Sequence, residues 1–233
     1  MNNYLDEKKW NAYNSWNVRN LDIGELWNRK IANWIVENNL ITDSTTVIDY
    51  GCSNFDLGLK LLKIAKRVDG YDPNESAINI ARTRVSSTSS SNFFCARGDL
   101  PKNIYDLIIV NSVLQYFTSE DEVLEFFNYV KDNLFSSKNS VMIISDLIPT
   151  NYLATLDAIN SIFVSIKNRL LYPMLIHILK SVLNKNGFSL LQIDKEKIVD
   201  IAKAANLNCY ILSENLTFSK ARYSVIVTKI GES

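Results

Sequence analysis

Short apolar runs alternate with segments of helical period between residues 45 and 146 of the chain. The runs are rich in β-branched and aromatic residues, and this alternation is typical of βαβ units that build a parallel sheet. It predicts strands at 45–51, 68–72, 93–96, 105–111 and 140–146. It predicts helices at 57–67, 74–85 and 120–134. Because strands and helices alternate in this way, we expect an α/β fold.

Two regions flank this alternation. Residues 1–40 are predicted to form a helical cap on the sheet, and residues 150–185 a long apolar helical insertion. A further helix at 195–205 and two strands at 207–212 and 222–230 follow the insertion. Either flanking region could close over a ligand as a lid, belong to the ordinary core, or form the surface of a homodimer. We expect one domain to span the whole chain, residues 1–233.

Charge and cysteine content restrict the function. The 233 residues contain 25 Lys and Arg against 25 Asp and Glu, so the chain lacks the positive field that sequence-independent nucleic-acid binding requires. No apolar run approaches the roughly 20 residues of a membrane span, and the first residues do not resemble a signal peptide. The three cysteines are widely spaced, without a zinc-ligand pattern. We therefore expect a cytoplasmic protein without a metal site.

The turn that follows the first predicted strand is the leading candidate for a binding site. Asp49 and Gly51 occupy it, and ligands of open α/β sheets bind beyond the carboxyl ends of the strands. Gly51 would let the backbone approach a ligand closely. An alternative is purely structural, since Ser53 and Asp56 have the spacing of a helix capping box.

Asp72 ends the second predicted strand. It follows Asp49 by roughly the 20 residues at which an acidic side chain accepts hydrogen bonds from ribose hydroxyls. An alternative role is that of a helix N-cap before Pro73. The two roles can coexist.

Electrostatics distinguish between two kinds of nucleotide-like cofactor. The glycine spacing of a dinucleotide site would place Ser53 at its second glycine and Asp56 at its third, and a carboxylate there would repel a pyrophosphate. S-adenosylmethionine has no phosphate and offers an ammonium and a sulfonium cation. An acidic residue such as Asp49 is therefore better suited to binding S-adenosylmethionine than to binding NAD.

The sequence from Asp49 to Phe55 resembles the acidic, glycine-rich loop of class I S-adenosylmethionine-dependent methyltransferases, with Ser53 and Phe55 in place of the family's second and third glycines. The resemblance extends over roughly residues 45–230. It implies S-adenosylmethionine as the cofactor, held by Asp49, Gly51 and Ser53 in this loop. It also implies a Rossmann-like, seven-stranded, mostly parallel sheet whose last strand is antiparallel, with helices on both faces.

The same resemblance implies roles for residues that follow the next strands. Asp72 would bind the ribose, Asp99 would accept from the adenine amino group, and Leu100 would pack near the ring. A turn at Gly98 and Asp99 is the alternative for that segment.

The segment that follows the fourth predicted strand resembles that of small-molecule methyltransferases. Asn111 and Ser112 would lie beside the methionine part of the cofactor, and Gln115 and Tyr116 would border the acceptor pocket. Leu114 and Phe117 are expected in the core.

Methyl transfer from a sulfonium is an in-line displacement, so alignment and exclusion of water are the main tasks. A general base is optional. His177, the only histidine, and Asp146 are the candidates, although His177 could simply pack in its helix and Asp146 could cap a helix of the insertion. Tyr13 and Trp16 are predicted to line the acceptor pocket as part of a lid.

Three functions compete on these observations. Methylation of a small molecule leads, because the residues from Asn111 to Leu114 do not resemble the Asn-Pro-Pro-aromatic motif of enzymes that methylate base amino groups. An NAD-dependent epimerase or reductase would require more glycine at the first turn. A binding module without catalysis would explain the substituted glycines.

Overall fold

The computed structural model describes residues 21–86, 89–152, 190–217 and 219–230. Its strands are β1 (Thr46–Tyr50), β2 (Arg67–Tyr71), β3 (Phe93–Phe94), β4 (Leu107–Asn111), β5 (Val141–Leu147), β6 (Leu207–Ile211) and β7 (Tyr223–Lys229). Its α-helices are α1 (Leu21–Glu37), α2 (Asp56–Leu61), α3 (Glu75–Arg84), α4 (Glu120–Tyr129) and α5 (Lys195–Ala204).

The seven strands form one sheet in the order β3-β2-β1-β4-β5-β7-β6. The pairs β1–β2, β1–β4, β2–β3 and β4–β5 are parallel, whereas β7 is antiparallel to both β5 and β6. This topology confirms the predicted sheet with its antiparallel last strand. The strand order reverses between β1 and β4, so their carboxyl ends flank the cleft where open α/β sheets bind ligands.

Apolar residues on both faces of the sheet explain why helices cover each face. Successive side chains of a strand point to opposite faces, and Val47 and Ile48 of β1 accordingly belong to different core clusters. Val47 packs with Ile31 and Ile78, which lie on α1 and α3. Ile48 packs in the cluster that contains residues of α4 and α5.

Several elements end earlier than the sequence pattern predicts. The helix predicted at 57–67 stops at Leu61, because the N–H groups of Lys66 and Arg67 donate to Thr45 O and so start β2 beside β1. Strand β3 contains two residues because a 3₁₀-helix, Arg97–Asp99, begins soon after it.

The helix predicted at 120–134 has two parts. Its α-helical part, α4, begins after Ser119, whose hydroxyl accepts from Glu122 N. A π-helical turn, Val130–Leu134, completes it. Within the ranges that the structure describes, no helix is long and apolar enough to span a bilayer.

Candidate functional site

Gly51 brings the loop after β1 against the segment after β4. Its φ of 84° lies in the left-handed region, where side chains are unfavourable. A Cβ at this position would also overlap Cγ2 of Val113. Gly51 N and Cys52 N both donate to Tyr71 O, at 2.7 and 2.9 Å. The glycine therefore allows three strand ends to meet.

Ser53 and Phe55 stand where the resemblance expects glycine, and both have left-handed backbones, with φ of 48° and 65°. Phe55 is buried and packs edge-on against Phe93, with ring centroids 4.8 Å apart. This packing stabilises a conformation that otherwise costs about 1–2 kcal/mol per residue. The loop thus keeps its left-handed backbone without the glycines.

The capping box proposed for this loop is wrong. The N-cap of α2 is Phe55, and among the described residues no side chain caps that helix. Asp56 instead forms an ion pair with Arg84, 2.6 Å from Nη2 to Oδ1. Ser53 contributes its backbone N–H to Asp72.

Asp72 joins the ends of β1 and β2. Its Oδ2 accepts from Ser53 N at 2.9 Å and its Oδ1 from Asn74 N at 2.9 Å. The N-cap of α3 is Asn74, whose side chain accepts from two helix N–H groups, so the N-cap alternative for Asp72 is wrong. The Asp72 residue is 3% exposed. Its buried carboxylate fixes the loop in which the cofactor is expected to bind.

Asp49 adds a second carboxylate at this place. It is 4% exposed at the carboxyl end of β1. Burial, followed by the charges of Asp49 and Asp72, raises the pKa of the Cys52 thiol well above its usual value. Cys52 therefore remains a neutral thiol, and the two carboxylates make this end of the sheet attractive to cations.

The segment expected to bind adenine forms the 3₁₀-helix Arg97–Asp99. Asp99 is exposed and Leu100 is buried in the core. The Tyr129 hydroxyl donates to Arg97 O at 3.0 Å, and the Arg97 guanidinium lies 3.5 Å from the centre of the Tyr129 ring. A tight turn does form here, as the alternative requires, with Asp99 N donating to Ala96 O.

An aromatic cluster packs at the carboxyl ends of β1 and β2. The ring centroids of Tyr50 and Tyr71 are 4.5 Å apart, and those of Tyr50 and Phe126 are 5.0 Å apart. Burial, more than any other effect, raises the pKa of Tyr71 to about 12. The pattern of apolar residues in the sequence does not indicate that this cluster supports the site.

The end of β4 carries two polar side chains that face β5. Ser145 Oγ donates to Asn111 Oδ1 at 2.7 Å, and Ser112 Oγ donates to Asp146 Oδ2 at 2.8 Å. Ser112 has a left-handed backbone, with φ of 57°. The structure thus brings three predicted site residues, Asn111, Ser112 and Asp146, together.

Asp146 also receives hydrogen bonds from the last part of the chain. Arg222 Nη1 lies 2.8 Å from Oδ2, and Thr217 Oγ1 donates to Oδ1 at 3.0 Å. The residue is 6% exposed and has a φ of 71°. Its carboxylate is thus held by a cation and two hydroxyl groups, one of them Ser112. Its role as a general base stays a prediction.

Gln115 and Tyr116, which are predicted to border the acceptor pocket, both lie in a 3₁₀-helix, Leu114–Tyr116. Gln115 is buried, and its Oε1 accepts from Arg222 Nη1 at 2.9 Å. Tyr116 is half-buried. Leu114 and Phe117 are buried in the core, as predicted.

Arg222 and Thr217 are two site residues that the sequence motifs do not indicate. The signal for Arg222 is its position as the first residue of the last predicted strand, because an antiparallel neighbour of β5 starts at the carboxyl edge of the sheet. Thr217 precedes that strand in a polar loop and offers no comparable signal.

Tyr13, Trp16 and His177 lie outside the described residues, so their predicted roles stay predictions. In the part of the chain that the structure describes, no group of three or more His, Cys, Asp and Glu side chains could hold a metal ion.

Comparison with protein families decides the assignment. The model of a methyltransferase domain family matches residues 41–206, which is more than half of the chain. This chain belongs to the methyltransferase family. The predicted membership in the class I S-adenosylmethionine-dependent methyltransferases is thereby confirmed, and S-adenosylmethionine is the cofactor.

Solved structures share the fold of this methyltransferase. A methyltransferase from Clostridium acetobutylicum has a TM-score of 0.61 at 16% identity, covering 97% of this chain and 99% of that one. Magnesium protoporphyrin IX methyltransferase from Synechocystis PCC 6803, with bound S-adenosylhomocysteine, has a TM-score of 0.58 at 15% identity, covering 97% and 96%. No curated protein sequence matches the chain.

Proposed function

We propose that this enzyme transfers the methyl group of S-adenosylmethionine to a small molecule. The proposed acceptor is a hydroxyl, amine or acid group of a sugar, a nucleotide-sugar or a natural-product intermediate. The observation on which the proposal rests is the hydrogen bond from Ser53 N to Asp72 Oδ2, beside a second buried carboxylate at Asp49. It joins the first two strand ends into one anionic loop suited to a cationic, phosphate-free ligand.

The residues of the loop and its neighbours fit this cofactor. In the proposed complex, the Asp72 carboxylate accepts from the ribose, and Asp99 and Leu100 hold the adenine. Asp72 already accepts two N–H groups through its two oxygens, and each carboxylate oxygen has lone pairs for further donors. Asp49 lies where a positive charge of the amino-acid part is favourable.

When bound, the cofactor supplies an electrophilic methyl group on a sulfonium. The remaining tasks belong to the protein, which orients the acceptor in line with that methyl group and excludes water. Gln115 and Tyr116 lie beside the carboxyl end of β4, where we place the acceptor. We retain Asp146 and His177 as candidate bases for an acceptor that must lose a proton.

The chain on either side of residues 153–189 supports placing the acceptor there. Tyr152 Oη lies 3.4 Å from Arg222 Nη2, and Leu191 N donates to Gln115 O at 2.9 Å. Thr150 N and Oγ1 both donate to the Asp194 carboxylate. The described residues on both sides of this segment therefore lie at the edge of the sheet where we place the site. We propose that the insertion, residues 150–185, contributes the lid.

Three further parts of the proposal rest on the sequence. Equal numbers of acidic and basic residues favour a small molecule over a nucleic acid. The cysteines Cys52, Cys95 and Cys209 are free, which suits a reducing cytoplasm. We also propose a single methyltransferase domain over residues 1–233 and assembly as a homodimer.

Methyl-labelled S-adenosylmethionine tests the acceptor class. The enzyme would be incubated separately with sugars and nucleotide-sugars, small amines, small carboxylic acids, RNA and DNA, and transferred label counted. We expect label in one small-molecule class and none in either nucleic acid. Label found in nucleic acid alone would contradict the proposal. A His177→Gln variant that keeps full activity would exclude His177 as the base.

A further inference from the structure

The antiparallel direction of β7 places Arg222 at the carboxyl edge of the sheet. Tyr223, the first residue of β7, is opposite Leu147 at the end of β5. Arg222 directly precedes it, and its side chain is 16% exposed. A strand parallel to β5 would have brought its first residues to the opposite edge.

The Arg222 guanidinium reaches two segments of the candidate site. Its Nη1 donates to Asp146 Oδ2 at 2.8 Å and to Gln115 Oε1 at 2.9 Å. The same oxygen of Asp146 accepts from Ser112 Oγ at 2.8 Å. Arg222 is therefore connected to the chain after β4 at two points, through Asp146 to Ser112 and directly to Gln115.

Backbone strain coincides with this network. Ser112 and Asp146 both have left-handed backbones without being glycine, with φ of 57° and 71°. The pairing of β5 with β7 is irregular between Ile144 and Leu147, which is the signature of a β-bulge. Such strain persists only where surrounding interactions maintain it, and it concentrates at functional sites. The hydrogen bond between the two residues and the cation of Arg222 supply those interactions.

We propose that Arg222 is a positioning residue for methyl transfer. It holds the Asp146 carboxylate in its hydrogen bond with Ser112 and thereby fixes the segment that binds the amino-acid part of the cofactor. This inference rests on the proposed function, in which Asn111 and Ser112 lie beside that part. Arginine suits the task because the two N–H donors of Nη1 are held in one rigid plane and can serve both acceptors, whereas lysine presents a flexible point charge.

The experiment compares a ligand that has the amino-acid part with one that lacks it. S-adenosylhomocysteine has an amino-acid part, and 5′-methylthioadenosine has the same adenosine and sulfur without it. Calorimetric titration of the whole protein would give the affinity for each. Because Arg222→Met alone would leave the buried Asp146 carboxylate without its cation, the main variant combines Arg222→Met with Asp146→Asn. Arg222→Lys is the conservative variant.

A matched control lies elsewhere in the sheet. Arg67 Nε and Nη2 donate to the fully buried Asp69 carboxylate at 2.9 and 2.8 Å, and Arg67 is the first residue of β2, at the amino edge. The double variant Arg67→Met with Asp69→Asn therefore removes a buried ion pair away from the site.

We expect the Arg222 and Asp146 double variant to bind S-adenosylhomocysteine about tenfold or more weakly, the effect of one hydrogen bond to a charged group, and 5′-methylthioadenosine almost as tightly as the wild type does. The affinity of Arg222→Lys for S-adenosylhomocysteine should lie between those of the wild type and the double variant. The Arg67 and Asp69 control should bind both ligands as tightly as the wild type does. Equal losses for both ligands, or no loss for either, would overturn the inference alone. A wild-type protein that binds no S-adenosylhomocysteine would overturn the proposed function as well.

Discussion

Replacement of Gly51 by alanine should destabilise the protein for two separable reasons. The left-handed backbone at φ 84° costs a non-glycine residue about 1–2 kcal/mol. The new Cβ would also overlap Cγ2 of Val113, which is buried and has few rotamers available, and overpacking of this kind costs about 1–3 kcal/mol. We therefore expect Gly51→Ala to lower the free energy of unfolding by about 2–5 kcal/mol.

A double-mutant cycle separates these two contributions. Val113→Ala alone should cost about 1.5–3 kcal/mol through lost burial. In the double variant the overlap is absent, so its destabilisation should be smaller than the sum of the single values by about 1–3 kcal/mol. The amount by which the double variant is less stable than Val113→Ala would then be the cost of the left-handed backbone conformation at residue 51.

Urea denaturation at 25 °C, followed by circular dichroism, measures each free energy. Gly98→Ala is the matched control, because a Cβ there meets no atom within 4 Å, and its effect should stay within about 0.5 kcal/mol. Strictly additive Gly51 and Val113 values would refute the contact between the two loops. An unchanged free energy of unfolding for Gly51→Ala would refute both proposed costs, the backbone strain and the overlap with Val113.

Of three more predictions, two concern the carboxyl end of the sheet, and the third concerns Cys209 on β6, which pairs with β7. Asp72→Ala should weaken S-adenosylhomocysteine binding about tenfold to 100-fold, since a hydrogen bond to a charged group contributes about 1.5–3 kcal/mol; full affinity in calorimetry would contradict the ribose assignment. Tyr129→Phe removes the hydrogen bond to Arg97 O and should lower the free energy of unfolding in urea by about 0.5–1.5 kcal/mol while weakening that binding; an unchanged affinity would show that Tyr129 does not support the adenine segment. Burial raises the pKa of Cys209 from 9.0 to about 12. The native state therefore keeps a proton that the unfolded state loses above pH 9, and stability should decline as the pH rises from 9 towards 12. Cys209→Ala should reduce that decline by up to about 1.4 kcal/mol per pH unit in urea denaturation, and an identical decline in the variant would contradict the assignment.

The order of elements could be predicted because the strands are strongly apolar. Val47, Ile48 and Ile108 are fully buried, and runs of this kind between turn residues are typical of central parallel strands. The acidic residues at two strand ends then located the loop. The exact ends of helices depend on tertiary hydrogen bonds, as at Lys66 and Thr45, and a local pattern does not contain them.

The site was only partly predictable for the same reason. Ser53 and Phe55 adopt left-handed conformations that their residue types do not suggest, so a pattern defined by glycines underrates the loop. Arg222 and Asp146 are far apart in the chain and meet only because β7 pairs with β5. The sequence identified Asp146 as polar and well placed, but its ion pair is a property of the folded sheet.

Calorimetric titration of the wild-type protein with S-adenosylhomocysteine and, separately, with NAD tests the central claim most directly. The anionic loop formed by Asp49 and Asp72 predicts saturable binding of S-adenosylhomocysteine at one site per chain and no binding of NAD. Binding of NAD, or the absence of any binding of S-adenosylhomocysteine, would contradict the account.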